Sequence, residues 1–369
     1  MLIGVLGGGQ LGRMLALAGY PFGLRFRVLD PVLDAATDGI AERVRGAYED
    51  PAALDAFAAG LDCVTYEFEN VPVATVRALA ARGVRVFPGE RALALTQDRV
   101  LEKQFLSELG VATADFAPID AADDVARAVA SVALPAVLKS RRLGYDGRGQ
   151  RVVRTAADLD GAWDALGGVP LVAEAFVPFK RELALLAARA VDGTIACYPL
   201  IETHHRDGIL RLALAPAPHA SAELQSAAEA IATRVLQALD YVGVLAVELF
   251  ERDGRLLVNE LAPRVHNSGH GTIEGAETSQ FAQHLRAGLG LPLGSTSAVG
   301  YSAMLNLIGE APPLDALLRA DPHAHVHRYG KQPRPARKLG HVTLIASDRA
   351  ALAARVEAFA AAIGIALPT

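Results

Sequence analysis

Two glutamates on opposite arms of one turn open the chemical reading of this chain. In VELFERDGRLLVNELAPR, Glu248 and Glu260 flank Asp253-Gly254, a strong hairpin signal. A three-residue connection centred on Gly254 would set the two carboxylates face to face, whereas a two-residue turn would pair Glu248 with Asn259. Facing carboxylates, with Asn259 beside them, suit magnesium bridging phosphates, because that ion keeps some waters and takes one or two protein carboxylates. In isolation such a pair is more often solvent-facing charge on an amphipathic hairpin. Upstream, VLKSRRLGYDGRGQRVV ends an apolar run at Lys139 and loosens into Gly144, Gly147 and Gly149. Backbone N–H groups of such a loop close around phosphate oxygens, and a lysine adds a point charge. The spacing is not that of a Walker motif, and the loop joins two strands. Alone, it reads equally as a hairpin loop with solvated arginines.

Directly after the second glutamate, PRVHNSGHGTIEGAETSQF packs Arg264, His266, Asn267, Ser268 and His270 into a stretch poor as either strand or helix. Donors at that density beside a metal carboxylate point to substrate or phosphate binding. His266 and His270 have helix-like spacing for zinc, but Gly269 and Gly271 argue against a helix there. Near the end, YGKQPRPARKLGH gathers Lys331, Arg334, Arg337 and Lys338, a cluster that suits an anionic small molecule. No aromatic residues interleave these charges, which disfavours nucleic acid. At the start, Gly7, Gly9 and Gly12 spell G-x-G-x-x-G and Asp30 closes a later strand-like run, the outline of a dinucleotide site.

The elements that must carry these groups change texture along the chain. Up to about Thr96, short β-type runs (LIGVLG, LRFRVLD, LDCVTYEFE, VRVFPG) alternate with Ala-rich helical stretches, the pattern of a parallel sheet with crossover helices. Such sheets bind ligands at the carboxyl ends of their strands, so the glycines after the first, Asp30 after the second, and Glu67 with Glu69 after CVTY should converge on one crevice. After a helix from Asp98 to Leu109 the texture becomes α+β. Strands are expected at LPAVLKS, RVVR, LVAEAFV, RELALLAARA, TIACYPLIET and GILRLALAP, then a helix from Ser221 to Leu239, then the acidic hairpin. VGYSAMLNLIG, HAHVHRYG and LGHVTLIA, with a closing Ala-rich helix, form a small α/β cap.

Composition narrows the function classes. The 369 residues exceed what one core usually supports, and 51% apolar with 21% charged residues and a net charge of −5 describes a soluble globular protein. Two cysteines, Cys63 and Cys197, give neither metal spacing nor a disulfide framework. No run approaches the ~20 apolar residues that span a membrane, and no cleavable leader pattern is present, so a cytoplasmic location is expected.

Taken together, GGGQLGRM, TYEFENVP, GYDGRGQ, GVLAVELF, NELAPRVHNSGH and RPARKLGH resemble the ATP-grasp ligases, and among them the 5-(carboxyamino)imidazole ribonucleotide synthase family of purine biosynthesis. The resemblance runs from Leu2 to about Ile345. It implies three domains: a Rossmann-like parallel α/β domain over 1–97, a two-lobed ATP-grasp domain over 98–295 with its lid lobe at about 115–175, and a small C-terminal α/β domain over 296–369. It implies ATP, magnesium, bicarbonate and 5-aminoimidazole ribonucleotide as ligands, and a homodimer. Carried onto this sequence, Arg99 and Lys139 would reach ATP phosphates under a lid of Gly144, Tyr145, Asp146, Gly147, Arg148, Gly149 and Gln150. Glu174, Ala175, Phe176 and Val177 would be the hinge that meets adenine, Glu182 the ribose acceptor and His205 a further nucleotide contact. Glu248 and Glu260 would hold magnesium, with Asn259 beside them. Gln10, Leu11, Glu67 and Glu69 would bind the ribonucleotide, its phosphate at the helix start. Tyr145, Asp146, Arg264, His266, Asn267, Lys331, Arg334 and Lys338 would line the place where bicarbonate, substrate and transferred phosphate meet.

The implied reaction makes carboxyphosphate from bicarbonate and ATP, then transfers its carboxyl group to the exocyclic amine of the ribonucleotide. Three alternatives stand beside it: another acyl-phosphate ATP-grasp ligase, such as a formate-dependent ribonucleotide transformylase or a biotin carboxylase-like enzyme; a dinucleotide oxidoreductase; and an inactive nucleotide-binding regulator. The oxidoreductase would need a second mononucleotide half, where this chain instead turns α+β.

Overall fold

A computed structural model describes residues 1–368 except Tyr145, Asp146 and Arg148. Four parallel strands begin the chain: β1 (Leu2–Leu6), β2 (Arg25–Leu29), β3 (Glu42–Val44) and β4 (Cys63–Tyr66), in the order β3-β2-β1-β4. β1 is buried throughout, as a strand covered on both faces must be. Two expectations change here. The three-residue strand β3 is added. VRVFPG contributes a single bridge, Val64 to Val86, because Pro88 has no N–H to extend a ladder.

A second, antiparallel sheet contains β5 (Phe116–Ile119), β6 (Ala136–Ser140), β7 (Gln150–Val153) and β8 (Leu171–Ala175), in the order β5-β8-β6-β7. One face rests on helix Val125–Val132, whose Val125, Ala128, Val129 and Val132 recur at helical spacing and bury together with Leu138 and Leu171.

The third sheet has nine strands. β9 (Arg181–Arg189), β10 (Ile195–Cys197), β11 (Ile201–Arg206), β12 (Ile209–Ala215), β13 (Gly243–Arg252) and β14 (Arg255–Ala262) are joined by β15 (Tyr301–Ile308), β16 (His325–Arg328) and β17 (Lys338–Ala346). The path is β14-β13-β9-β11-β12-β15-β17-β16, with β10 on β9. The run TIACYPLIET divides into β10 and β11. The final strands do not make a sheet of their own: β15 hydrogen-bonds β12 from Leu212↔Leu305 to Ala215↔Ser302, so one sheet crosses from the central segment into the last. Helix Ala222–Ala238, capped by the Ser221 hydroxyl accepting from the Leu224 amide, covers β9 and β13 with Leu224, Ala228, Ala232 and Val235. Helix Arg99–Glu108, N-capped by Asp98, leads from the first sheet to the other two.

Candidate active site

The hairpin of β13 and β14 turns on two residues: Arg252 pairs with Arg255, and Asp253 and Gly254 both have positive φ, 51° and 72°. This is the connection that should have opposed Glu248 to Asn259. A β-bulge intervenes. The register shifts between Leu249↔Val258 and the next pair, so Glu248 faces Glu260 after all. The extra residue also lets the neighbours Asn259 and Glu260 both line the cavity, which strict alternation would forbid. Burial works against ionising either acid, but Arg99 Nη1 donates to Glu260 Oε2 at 2.7 Å and holds that carboxyl down at about 2. Burial, and Glu260 alongside, push Glu248 up to about 7. A second negative charge is thus expensive until a cation sits between the two. Among the described residues no group of three or more His, Cys, Asp or Glu side chains could hold a metal. The donor set is therefore two hard carboxylates, which fits magnesium completed by water and phosphate and does not fit zinc. The zinc alternative also fails in space: His266 Nε2 lies 3.3 Å from Glu248, whereas His270 is fully buried against Phe281 and His341.

Lys139, on β6, donates to Glu174 Oε2 at 2.9 Å and to Asn259 Oδ1 at 3.3 Å. Behind it Lys103, 1% exposed, reaches the same Glu174 oxygen at 3.3 Å and the Asn259 carbonyl at 3.4 Å. Burial would raise the Glu174 carboxyl, but the two ammonium groups outweigh it and keep the group ionised. Glu174 therefore acts here through its side chain, as the anchor of two lysines. Its backbone is committed to β5 and β6, and the Ala175 and Phe176 amides donate to the Asp115 and Pro135 carbonyls. Of the expected hinge amides, Val177 N–H alone has no protein partner among the described residues. Phe179 and Phe250 stack at 4.7 Å with planes 2° apart, and with Val137, Val152 and Leu210 they form an apolar slot for a flat ring. Neither phenylalanine was expected in the site, although Phe250 shares the strand face of Glu248, two residues away. Glu182 accepts from His205 Nδ1 at 3.0 Å; burial disfavours the imidazolium, and the carboxylate more than reverses that.

At the other end of the same cavity, of about 840 Å³, stand Gln10, Leu11, Glu67, Glu69, Arg264, His266, Asn267, Lys331 and Lys338. Arg264 pairs with Glu69, and Lys331, in the loop after β16, donates to Gln10 at the start of the first helix. Burial pushes the Lys331 ammonium down to about 8.

The strand ends converge as expected, but the helix start is not left for a phosphate. Glu67 accepts from the Leu11 and Gly12 amides at 3.1 and 3.0 Å and from Gly9, while Asp30 accepts from Gly8 at 2.5 Å. These two acids satisfy the amides that a dinucleotide pyrophosphate would need, which removes the oxidoreductase reading. Arg334 is exposed and outside the cavity wall, and Gly149 also lies off the wall, its carbonyl accepting from Ser140 N at 2.7 Å. Gly144, Gly147 and Gln150 do line it; Tyr145, Asp146 and Arg148 lie outside the described residues.

A lysine and arginine over paired carboxylates, at the junction of two antiparallel sheets with a ring-sized apolar slot, define an ATP-grasp enzyme. The ATP-grasp domain model matches residues 104–281, the ribonucleotide synthetase preATP-grasp domain 1–97, and the phosphoribosylaminoimidazole carboxylase C-terminal domain 302–355. The chain belongs to the N5-carboxyaminoimidazole ribonucleotide synthase family. The synthase of Pseudomonas aeruginosa is 52% identical over 356 residues, covering 96% of this chain and 98% of that protein. The crystal structure of the Thermus thermophilus synthetase matches with a TM-score of 0.94 at 54% identity, over 100% of this chain and 99% of that one. That of the Aspergillus clavatus synthase, in complex with ADP and 5-aminoimidazole ribonucleotide, matches with a TM-score of 0.90 at 32% identity, over 98% of each chain. Among the described residues no helix is long and apolar enough to cross a membrane.

Proposed function

We propose that this enzyme carboxylates the exocyclic amine of 5-aminoimidazole ribonucleotide with bicarbonate, converting ATP to ADP and phosphate. The observation that carries the reading is the single cavity in which a nucleotide half (Lys139, Arg99, Glu182, the phenylalanine slot) opens onto a half lined by Gln10, Glu69, Arg264 and Lys331. The Aspergillus clavatus relative binds ADP and the aminoimidazole ribonucleotide together, which is what two such halves would accept.

The adenine ring enters the slot against Phe250, with Val177 N–H as its backbone donor and Glu182 accepting from the ribose. Arg99 and Lys139 face the phosphates. Both are held in place before ATP arrives, by Glu260 and Glu174, so their charge needs no reorganisation. Glu248 and Glu260 would hold magnesium, and the ion when bound offsets charge on the phosphoryl oxygens. Bicarbonate attacks the γ-phosphorus to give carboxyphosphate, whose carboxyl group is captured by the amine. Gly144, Gly147 and Gln150, which line the cavity, would shield this intermediate from water. Arg264, Lys331 and Lys338 supply the cations for bicarbonate and the ribonucleotide; the resemblance adds Tyr145, Asp146 and Arg334. Glu67 shapes the ribonucleotide end by holding the helix start. The enzyme works as a cytoplasmic homodimer, which sedimentation equilibrium checks.

The test is ADP release measured with bicarbonate or formate, with and without the ribonucleotide. ADP formation that requires both bicarbonate and 5-aminoimidazole ribonucleotide supports the reading. Equal rates without the ribonucleotide, or a preference for formate, overturn it.

A further inference from the structure

The chain has four asparagines, Asn70, Asn259, Asn267 and Asn306, of which the first three line the cavity. The fourth lies outside the wall, in the middle of the apolar strand β15, and is 4% exposed. A buried carboxamide in such a strand needs partners, and Asn306 has three hydrogen bonds. Its Nδ2 donates to the Leu210 carbonyl at 2.9 Å and to Asn267 Oδ1 at 2.8 Å, and its Oδ1 accepts from Asn267 Nδ2 at 3.1 Å. The ladder between β12 and β15 ends at Leu212↔Leu305, and just beyond it, where Leu210 is paired with His205 of β11, the Asn306 side chain donates to the Leu210 carbonyl.

This arrangement fixes an orientation by logic rather than by fit. A carbonyl oxygen can only accept, so the edge of Asn306 that meets Leu210 must be its NH2. The remaining NH2 proton then points to Asn267 Oδ1, and Asn306 Oδ1 is left to accept from Asn267. The reciprocal ring therefore dictates which way round the Asn267 carboxamide stands. Asn267 is itself 8% exposed, and among the described residues no other group bonds to its side chain. What it offers the cavity is one Nδ2–H and one Oδ1 lone pair, in a fixed sense, next to His266.

We infer that Asn306 is a positioning residue for the reaction: acting through Asn267, it holds an amide N–H toward an oxyanion, the class to which bicarbonate, carboxyphosphate and the transferred phosphate belong. The inference rests on the function proposed above. Without Asn306 the Asn267 carboxamide can invert and present its oxygen to that anion instead.

A double-mutant cycle with Asn306→Ala and Asn267→Ala tests it. Asn267→Ala should lower kcat about 100-fold, the usual effect of losing one oxyanion donor. Asn306→Ala should lower kcat about tenfold with the KM for ATP changed less than twofold, and should add nothing in the Asn267→Ala background. A loss of the same factor in both backgrounds, or an unchanged kcat for Asn306→Ala, overturns the inference. If Asn306→Ala does not fold, Asn306→Ser, whose hydroxyl can still donate to the Leu210 carbonyl, runs through the same cycle. A second readout needs no turnover. With four asparagines, selective 15N-asparagine labelling gives an assignable spectrum, in which the Asn267 side-chain amide should exchange slowly in the wild type and fast in the Asn306 variant. An Asn267 signal that ignores the substitution overturns the inference. An unchanged wild-type spectrum together with no ADP release would instead count against the proposed function.

Discussion

Glu174→Gln removes one charge from beneath two ammonium groups, and the consequence can be worked through. Glu174 Oε2 accepts from Lys139 at 2.9 Å and lies 3.3 Å from Lys103 Nζ, with the acid 3% and Lys103 1% exposed. Lys139 borders the cavity and can take water. Lys103 cannot, and it would keep only the Asn259 carbonyl at 3.4 Å. Leaving an ammonium buried without its counter-charge costs about 3–5 kcal/mol. At roughly 2 °C per kcal/mol, the melting temperature should fall by about 6–10 °C. The pH dependence has a defined sign. Burial already holds the folded-state Lys103 ammonium below its ordinary value, with Glu174 working in the opposite direction. The folded chain therefore binds fewer protons than the unfolded chain between the two pKa values, and stability rises with pH across that window. Losing Glu174 lowers the folded value further and extends the window downward, so the deficit of Glu174→Gln should shrink as pH rises from 6 to 10. Adding Lys103→Met removes the stranded charge and should recover most of the loss, which calorimetry from pH 6 to 10 would measure. A variant that melts within 1 °C of wild type, or a deficit that grows with pH, refutes the reasoning.

Glu260→Gln should abolish ATP-dependent phosphate release while circular dichroism stays native, because it removes one of the two facing carboxylates and the partner of Arg99; wild-type-like release from the folded variant would end the metal assignment. Lys331 is held down at about 8, so the apparent affinity for the anionic ribonucleotide should fall as pH rises through 8, and Lys331→Arg should move that limb upward. Gly9→Ala would drive a Cβ into Glu67 Oε1 and displace the carboxylate from the helix start, raising the ribonucleotide KM about tenfold with the KM for ATP little changed. Phe250→Ala should do the reverse, raising the KM for ATP about tenfold through lost stacking, with ribonucleotide binding measured by calorimetry unaltered.

Period and punctuation made most of the frame legible. Alternating apolar runs gave the parallel strands, and the change of texture after Thr96 marked where the antiparallel sheets begin. The short strand β3 (ERV) lacked enough apolar residues to register, and in β5 (FAPI) Pro118 hid the strand. The acidic hairpin is more instructive: the facing of Glu248 and Glu260 was expected from a three-residue turn, yet arises from a two-residue turn and a bulge, and nothing in the residue types marks a bulge. The basic loop and the glycine-rich stretches stood out because charge beside glycine or proline is conspicuous, whereas Arg99, Glu182 and His205 were implied only by the family resemblance. Phe179 and Phe250 were not, because an aromatic in an apolar strand looks like core. Lys103 and Asn306 left the clearest unused signals, a lysine on the buried face of a helix and a carboxamide inside YSAMLNLI. The helix start was expected to take the ribonucleotide phosphate, but its Gly9, Leu11 and Gly12 amides donate to the protein's own Glu67.

The nine-stranded sheet has a mechanical consequence. Its hydrogen bonds run unbroken from β14, which carries Glu260, to β16, beyond which Lys331 lies, so the acidic pair and the basic loop are tied to one frame and cannot part without tearing a ladder. Among the described residues the β5–β8 sheet shares no ladder with that frame, yet it carries Lys139 and leads into the glycine-rich loop. The first sheet, also without a shared ladder, is fastened to that frame by a common core and by Thr65 through His284 to the Val244 amide, so compliance falls to the β5–β8 side of the cavity. Paired spin labels should therefore keep a constant separation when spanning β13 and β17, and change separation on nucleotide binding only when one of them rides on helix Val125–Val132.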